Sequence, residues 1–352
     1  MTKIILGVVA AAVLYLLFWP VPIAPVAWTP PPMPALEGPY AANDRLKDAE
    51  RIAQGECTGP EAIALDAQGR IHTGCIDGRV MRFDADGKNG QVLANTGGRP
   101  LGLKFAPDGR LIVADAAKGL IHVAENGVIN VLATEAGGTP FGFTDDLDIS
   151  TDGMVYFSDA SWKFGHHQVM ADFMEHGANG RLLRHDLNTG KTEVLVADLH
   201  FSNGVALGPD DAFLLMNETA EYRVVRYWLK GGKAGTLEPF IENLPGFPDN
   251  ITFDDAGQRF WLALYGPRSA DLDAMLPKPF MRKIVYRLPA AVQPAPVMHG
   301  FVLALNTEGQ VIANLQDSGA SAYAPITSAI AHGPWLYLGS LVAPSMARIP
   351  LP

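Results

Sequence analysis

A chain of 352 residues holds one large domain or two ordinary ones, and 48% hydrophobic against 18% charged residues suits a globular body with a sizeable core. The formal net charge of −10 argues against nucleic acid, which wants a basic face. Two cysteines are too few for a disulfide scaffold, while 36 Gly and 27 Pro supply the turns of an all-β protein.

The chain opens on an apolar run from Ile4 to Trp19, and no charge follows Lys3 until Glu37. This predicts a signal-anchor transmembrane segment over residues 1–28, with Trp19 and Trp28 at the membrane interfaces. Lys3 places the N-terminus in the cytoplasm and the bulk across the membrane, in a periplasm, lumen or cell exterior. A cleaved signal peptide is the alternative. Pro20, Pro22 and Pro25 follow the run and no clean A-x-A site stands out, which favours the anchor. Residues 29–49 read as a Pro-rich stalk.

From residue 50 onward a ten-residue phrase recurs: PEAIALDAQG from Pro60, PLGLKFAPDG from Pro100, TDDLDISTDG from Thr144, SNGVALGPDD from Ser202 and PDNITFDDAG from Pro248. Positions four and six are apolar in every copy, which is strand alternation, and an Asp/Gly turn group closes each. The copies are 40, 44, 58 and 46 residues apart, and each is followed by further strands such as GRIHTGC, GRVMRFD and GQVLA in the first unit. Four strands at a spacing in the forties predict a propeller blade. A weaker sixth unit reads ITSAIAHG, PWLYLGS and SMARIPL. The expected fold is therefore an all-β six-bladed β-propeller over residues 50–352 behind an N-terminal membrane-anchor helix. Cys57 and Cys75 fall on one hairpin, either as a disulfide in an oxidising compartment or as two buried thiols. Trp162 to Asn179 interrupts the third unit. Pro267 to Met298 interrupts the fifth, and its DLDAMLPKPFMRKIVYRL has a helical look.

The second position of the phrase reads Glu61, Leu101, Asp145, Asn203 and Asp249. First strands line the channel of a propeller, so this register aims Glu61, Asp145, Asn203 and Asp249 at one point, and Asn250 can add an oxygen. No Arg or Lys occupies positions one to three of any copy, so no counter-charge is expected in the ring. An all-oxygen set suits a hard cation, Ca²⁺ before Mg²⁺, and disfavours zinc, because no His or Cys lies in register. The alternative is a ring of strand-capping polar residues around channel water.

Several long stretches then carry a resemblance: GRPLGLKFAPDGRLIVADAAKGL, GRLLRHDLNTGKTEVLVADL, LHFSNGVALGPD, ETAEYRVVRYWLKGGKAGTLEPFIENLPGFPDNI and LYLGSL. From about Gly59 to the end the chain resembles strictosidine-synthase-like proteins, among them the adipocyte plasma membrane-associated proteins. These sit within the six-bladed superfamily of gluconolactonases and paraoxonases. The resemblance implies a Ca²⁺ at the channel centre, held by Glu61 in GPE, Asn203 in SNG and Asp249 in PDN. Relatives usually carry Asn where this chain has Asp145.

Strictosidine synthesis needs a last-blade Glu as acid/base, and here Thr327 or Ser328 stands in that region, with no Glu after Glu308. A hydrolase of this type needs a Lewis acid on an ester or lactone carbonyl and a base for water. The candidate bases are Asp249 or Asp145 at the metal, the His166–His167 pair in the third-blade insertion, and His200 beside the SNG segment. The region around GRPLGLKF lacks His, so a paraoxonase-type histidine pair cannot be placed. Met170, Phe173, Met174, Met275, Phe280 and Met281 of the insertions would form an apolar mouth for a small hydrophobic ester or lactone. The competing reading is a non-catalytic, calcium-stabilised binding module. Asn217 and Asn250 head glycosylation sequons, and Asp115 and Asp159 end second strands as turn residues.

Overall fold

The computed structural model describes residues 1–289, 292–293 and 297–352. Its core is six antiparallel four-stranded sheets, whose innermost strands are Ile63–Leu65, Pro100–Phe105, Thr144–Ile149, Ser202–Leu207, Gly246–Asp254 and Ser328–His332. Each sheet except the last is sequential from inside to outside. The sixth takes three strands from the C-terminus, and its outer edge is Glu50–Ile52, paired antiparallel with Met346–Pro350. Glu50 and Arg348 add an ion pair of 2.8 Å across this closure. The strand at residues 50–52 thus ties the sixth blade to the segment that leads into the first.

The alternating apolar positions have a common physical outcome, because each sheet buries both faces against its neighbours. Ala64 and Val80 of the first blade pack on Leu103, Val113 and Ile121 of the second. Ala206 and Leu215 of the fourth pack on Ile251, Phe260 and Leu262 of the fifth. Cys57 and Cys75 are joined as a disulfide with their Cα atoms 5.4 Å apart.

The insertions expected in blades three and five lie between their second and third strands. The first holds the short helix Val169–Glu175 and the second holds Ala270–Met275 and Pro279–Tyr286; with the N-terminal helix Thr2–Phe18 these are α1 to α4 in chain order, Thr2–Phe18 being α1. The expected helical stretch is split in two because Pro277 and Pro279 interrupt it, Pro279 taking a first-turn position where its missing N–H costs nothing. Residues 290–291 and 294–296 of that insertion lie outside the described residues.

The N-terminal region departs from expectation. Helix α1 has 17 residues, about 25 Å at ~1.5 Å per residue against a hydrocarbon core of about 30 Å. Among the described residues no helix is long and apolar enough to cross a membrane, so the transmembrane anchor is not supported. Nor do the prolines that follow form a free stalk. Ile23 is buried against Phe164, Ala171 and Met174. Val26 N donates to Glu175 O at 2.9 Å, and Trp28 N to Leu276 O at 3.2 Å. Arg282 donates to Val26 O, Arg268 to Pro31 O and Asn243 to Pro32 O. The segment is a strap laid over the insertions.

Candidate metal centre and channel mouth

Four of the six innermost strands carry a bulge at the same place in the phrase. Register slips between Pro100 and Leu103, Thr144 and Leu147, Ser202 and Val205, and Pro248 and Ile251. One extra residue per strand re-aims positions two and three, which strict alternation would send to opposite faces. Position three is Gly in two copies for a steric reason. A Cβ on Gly102 would lie 2.7 Å from Asp146 Cα, and one on Gly204 would lie 2.6 Å from Asn250 Cα. The bulge of blade two thus nests against that of blade three, and the bulge of blade four against that of blade five.

This arrangement brings the expected set together. Glu61, Asp145, Asn203, Asp249 and Asn250 are all buried, at most 5% exposed. Asn250 Nδ2 donates to Glu61 Oε1, while Glu61 Oε2, Asn203 Oδ1 and Asn250 Oδ1 have no hydrogen-bond partner among the described residues. Three orphaned buried oxygens in a ring of three acids fit a hard cation. The electrostatics agree. Burial and then the Asp146 charge push Glu61 up to about 8, and burial and then Glu61 push Asp145 and Asp249 well above the usual carboxylate range. Asp146, raised to about 7 mainly by burial, points elsewhere: its Oδ2 accepts from Val205 N at 3.0 Å and ties blade three to blade four.

A counter-charge does exist, one residue before the second copy of the phrase. Arg99 is 5% exposed and its two terminal nitrogens have no hydrogen-bond partner among the described residues. Its charge lowers the pKa of both Glu61 and Asp145. Asp115 Oδ1 holds the Arg99 backbone N–H at 3.0 Å. Asp159 does the same for Phe143 at 2.8 Å, confirming the turn role expected of both. Two residues before position two, blades three, four and five carry Phe143, Phe201 and Phe247, and blade one carries Gly59. Phe143 and Phe201 meet edge-on at 5.7 Å, and Phe173 from α2 lies 4.8 Å from Phe201 and 6.0 Å from Phe247. Leu101 and Leu341 complete this apolar tier. Arg99 and the tier were not anticipated; the signal was the same strand face, one alternation further out.

The histidines separate. His166 packs on His167 with ring centroids 3.7 Å apart and planes tilted by 44°, and meets Phe143 at 6.3 Å. Burial and then His167 lower its pKa, with smaller influences from Asp115 and Arg99, which puts it at the mouth. His200 faces Glu218, Glu221 and His176, not the ring acids. Of the apolar residues expected at the mouth only Phe173 joins the tier. Met174 is buried under the strap, while Met170, Phe280 and Met281 face outward. Asn217 and Asn250 are buried, so neither sequon is an accessible glycan site. Thr327 and Ser328 both donate to Glu61 O, at 2.9 and 2.7 Å.

A family model described as strictosidine synthase matches residues 145–232, and one described as strictosidine synthase-like, N-terminal, matches residues 38–83. Protein strictosidine synthase-like 6 of Arabidopsis thaliana is 38% identical over 321 residues, covering 89% of this chain and 85% of that protein. The adipocyte plasma membrane-associated protein of Bos taurus is 33% identical over 364 residues, covering 96% and 86%. A solved gluconolactonase of Xanthomonas campestris aligns with a TM-score of 0.63 at 18% identity, over 94% of this chain and 98% of its own. Regucalcin of Agrobacterium tumefaciens, a calcium-binding protein, aligns with a TM-score of 0.58 at 20% identity, over 82% and 85%. At such identities these two structures speak for the fold.

Proposed function

Because the chain belongs to the strictosidine-synthase-like family, we propose that it is a calcium-dependent hydrolase of a small, hydrophobic ester or lactone, acting at the channel mouth. The observation that carries this reading is the pairing of orphaned ring oxygens with a buried guanidinium whose N–H groups are free. Glu61, Asn203 and Asp249 would hold the ion, with Asp145 and Asn250 beside them. When bound, Ca²⁺ would supply Lewis-acid polarisation of the carbonyl. The other steps belong to the chain. Arg99 donates N–H groups toward oxygen that gains charge in the transition state. Phe143, Phe173, Phe201 and Phe247 receive the apolar part of the substrate and exclude water. Asp249 or Asp145 takes the proton of the attacking water, with His166 as the base available from the mouth. Strictosidine-type condensation is disfavoured, since Thr327 and Ser328 spend their hydroxyls on Glu61 O and supply no acid.

The disulfide supports an oxidising, extracytoplasmic compartment. Helix α1 buries no residue and is apolar from Ile4 onward, which supports membrane association without a complete span. Arg287 fixes its end to the body through Leu16 O at 2.8 Å and Trp19 O at 2.6 Å.

A second reading is a calcium-stabilised binding module. It is favoured by the ring's own cross-blade bonds, Asn250 to Glu61 and Asn217 to Asp249 O. The test is hydrolysis of a panel of aryl esters and lactones by the metal-stripped protein with and without restored Ca²⁺. Calcium-dependent turnover supports the hydrolase. A calcium-dependent rise in melting temperature without turnover on any substrate supports the module.

A further inference from the structure

Outside the channel ring, three side chains from three different elements converge beneath the N-terminal strap. His176 caps the C-terminus of α2 in the left-handed conformation, with φ 51° and ψ 47°. His200 precedes the innermost strand of blade four. Glu221 lies on the 3-10 turn Thr219–Glu221 that follows that blade's second strand. His176 Nε2 is 3.2 Å from Glu221 Oε1, and His200 Nδ1 is 3.6 Å from the same oxygen and 3.7 Å from Glu218 Oε1. One ligand atom from each of His176, His200 and Glu221 lies within 4.8 Å of the other two.

These nitrogens are buried and lie close to carboxylate oxygens without a well-formed hydrogen bond. His176 Nε2 and His200 Nδ1 have no hydrogen-bond partner among the described residues, and His176 is 2% exposed. A buried imidazole nitrogen without a partner is costly unless something fills the space between it and its neighbours. The separations match a metal. Four ligands at 2.0–2.1 Å around a tetrahedral ion stand about 3.3 Å apart, and the two edges that meet at Glu221 Oε1, 3.2 and 3.6 Å, lie on either side of that value. Two imidazoles and a carboxylate are also the donor set of zinc and its neighbours, and a poor one for calcium.

The surroundings hold the donors in place. Glu218 accepts the His200 backbone N–H at 3.0 Å and is paired with Arg223 at 2.7 Å, so it remains a neutralised neighbour. Trp28 of the strap stacks on His176 at 4.5 Å and 21°. His176 and His200 are themselves stacked at 5.0 Å.

We propose that His176, His200 and Glu221 form a second metal site, selective for a zinc-class divalent ion and separate from the oxygen ring, which fastens the blade-three insertion to blade four under Trp28. The proposal does not depend on the hydrolase reading.

The test loads metal-stripped full-length protein with Co²⁺ as a spectroscopic stand-in, in excess Ca²⁺. The expected result is about one Co²⁺ per chain, visible d–d bands of a four-coordinate site, and quenched Trp28 emission. An equivalent of Zn²⁺ should bleach the bands, and Trp28→Phe should remove the quenching but keep the bands. His200→Gln and Glu221→Gln should each weaken binding at least tenfold while the circular dichroism stays unchanged. Asp249→Asn should leave Co²⁺ binding intact. Absence of stoichiometric Co²⁺ binding would overturn the proposal. So would bands that survive in both His200→Gln and Glu221→Gln, or that vanish in folded Asp249→Asn.

Discussion

Removing calcium should make this protein less stable as the pH rises, the reverse of ordinary acid denaturation. Glu61 is held from an ordinary 4.5 up to about 8, by burial first and the neighbouring Asp146 charge second. Without an ion the folded state keeps the Glu61 proton up to about pH 8, whereas the unfolded chain releases it near pH 4.5. Between those values the native state binds more protons, so stability falls as pH rises. At about 1.4 kcal/mol per unit, Glu61 alone accounts for about 5 kcal/mol over that span. Asp145, Asp146 and Asp249 are shifted the same way and act in the same direction. With an unfolding entropy of ~2.1 cal/mol/K per residue, a chain of 352 residues would lose about 7 °C of melting temperature. Saturating Ca²⁺ should abolish this slope, because the ionised carboxylates are then paired, and 100-fold excess over Kd adds about 2.7 kcal/mol. The assay is differential scanning calorimetry of stripped and calcium-loaded protein at pH 5, 6, 7 and 8, with Glu61→Gln as control. A stripped protein whose melting temperature is flat or rising across that range refutes the reasoning, as does a slope that Ca²⁺ leaves unchanged.

Arg99→Met should lower kcat/KM about 10²–10³-fold by removing oxyanion donors while leaving Ca²⁺ affinity unchanged or tighter, since a cation beside the ring is lost; calorimetric titration and ester hydrolysis on the same preparation separate the two. Gly204→Ala should cost about 1–3 kcal/mol and weaken Ca²⁺ binding, because the new Cβ meets Asn250 Cα at 2.6 Å; chemical denaturation with and without Ca²⁺ reads both. Cys75→Ser opens a link across 18 residues and should cost about 3 kcal/mol, seen as a lower urea midpoint at unchanged Ca²⁺ affinity.

Five blades are legible in the sequence because the strand alternation and the Asp/Gly turn repeat in phase. The sixth reads weakly for a physical reason: its outer strand, Glu50–Ile52, lies 298 residues before its partner at Arg348. The ring set is legible because a propeller puts one register around one axis. Strict alternation would have separated Asp249 from Asn250, and only the bulge, invisible to a periodicity argument, puts both to use. Arg99 escaped because it stands one residue outside the phrase. The cluster of His176, His200 and Glu221 has no shared register at all, since a helix cap, a blade link and a 3-10 turn supply one residue each. Proline-rich composition suits a solvated spacer as well as a strap. The strap's carbonyls at Val26 and Pro31 find Arg282 and Arg268, 256 and 237 residues away.

The most direct test of the central claim is anomalous diffraction from a crystal grown with Ca²⁺. A single calcium peak in the channel, bonded to Glu61, Asn203 and Asp249, is the result expected. An empty channel at saturating Ca²⁺, with Glu61, Asp145 and Asp249 bonded to one another or bridged by water, would contradict the account.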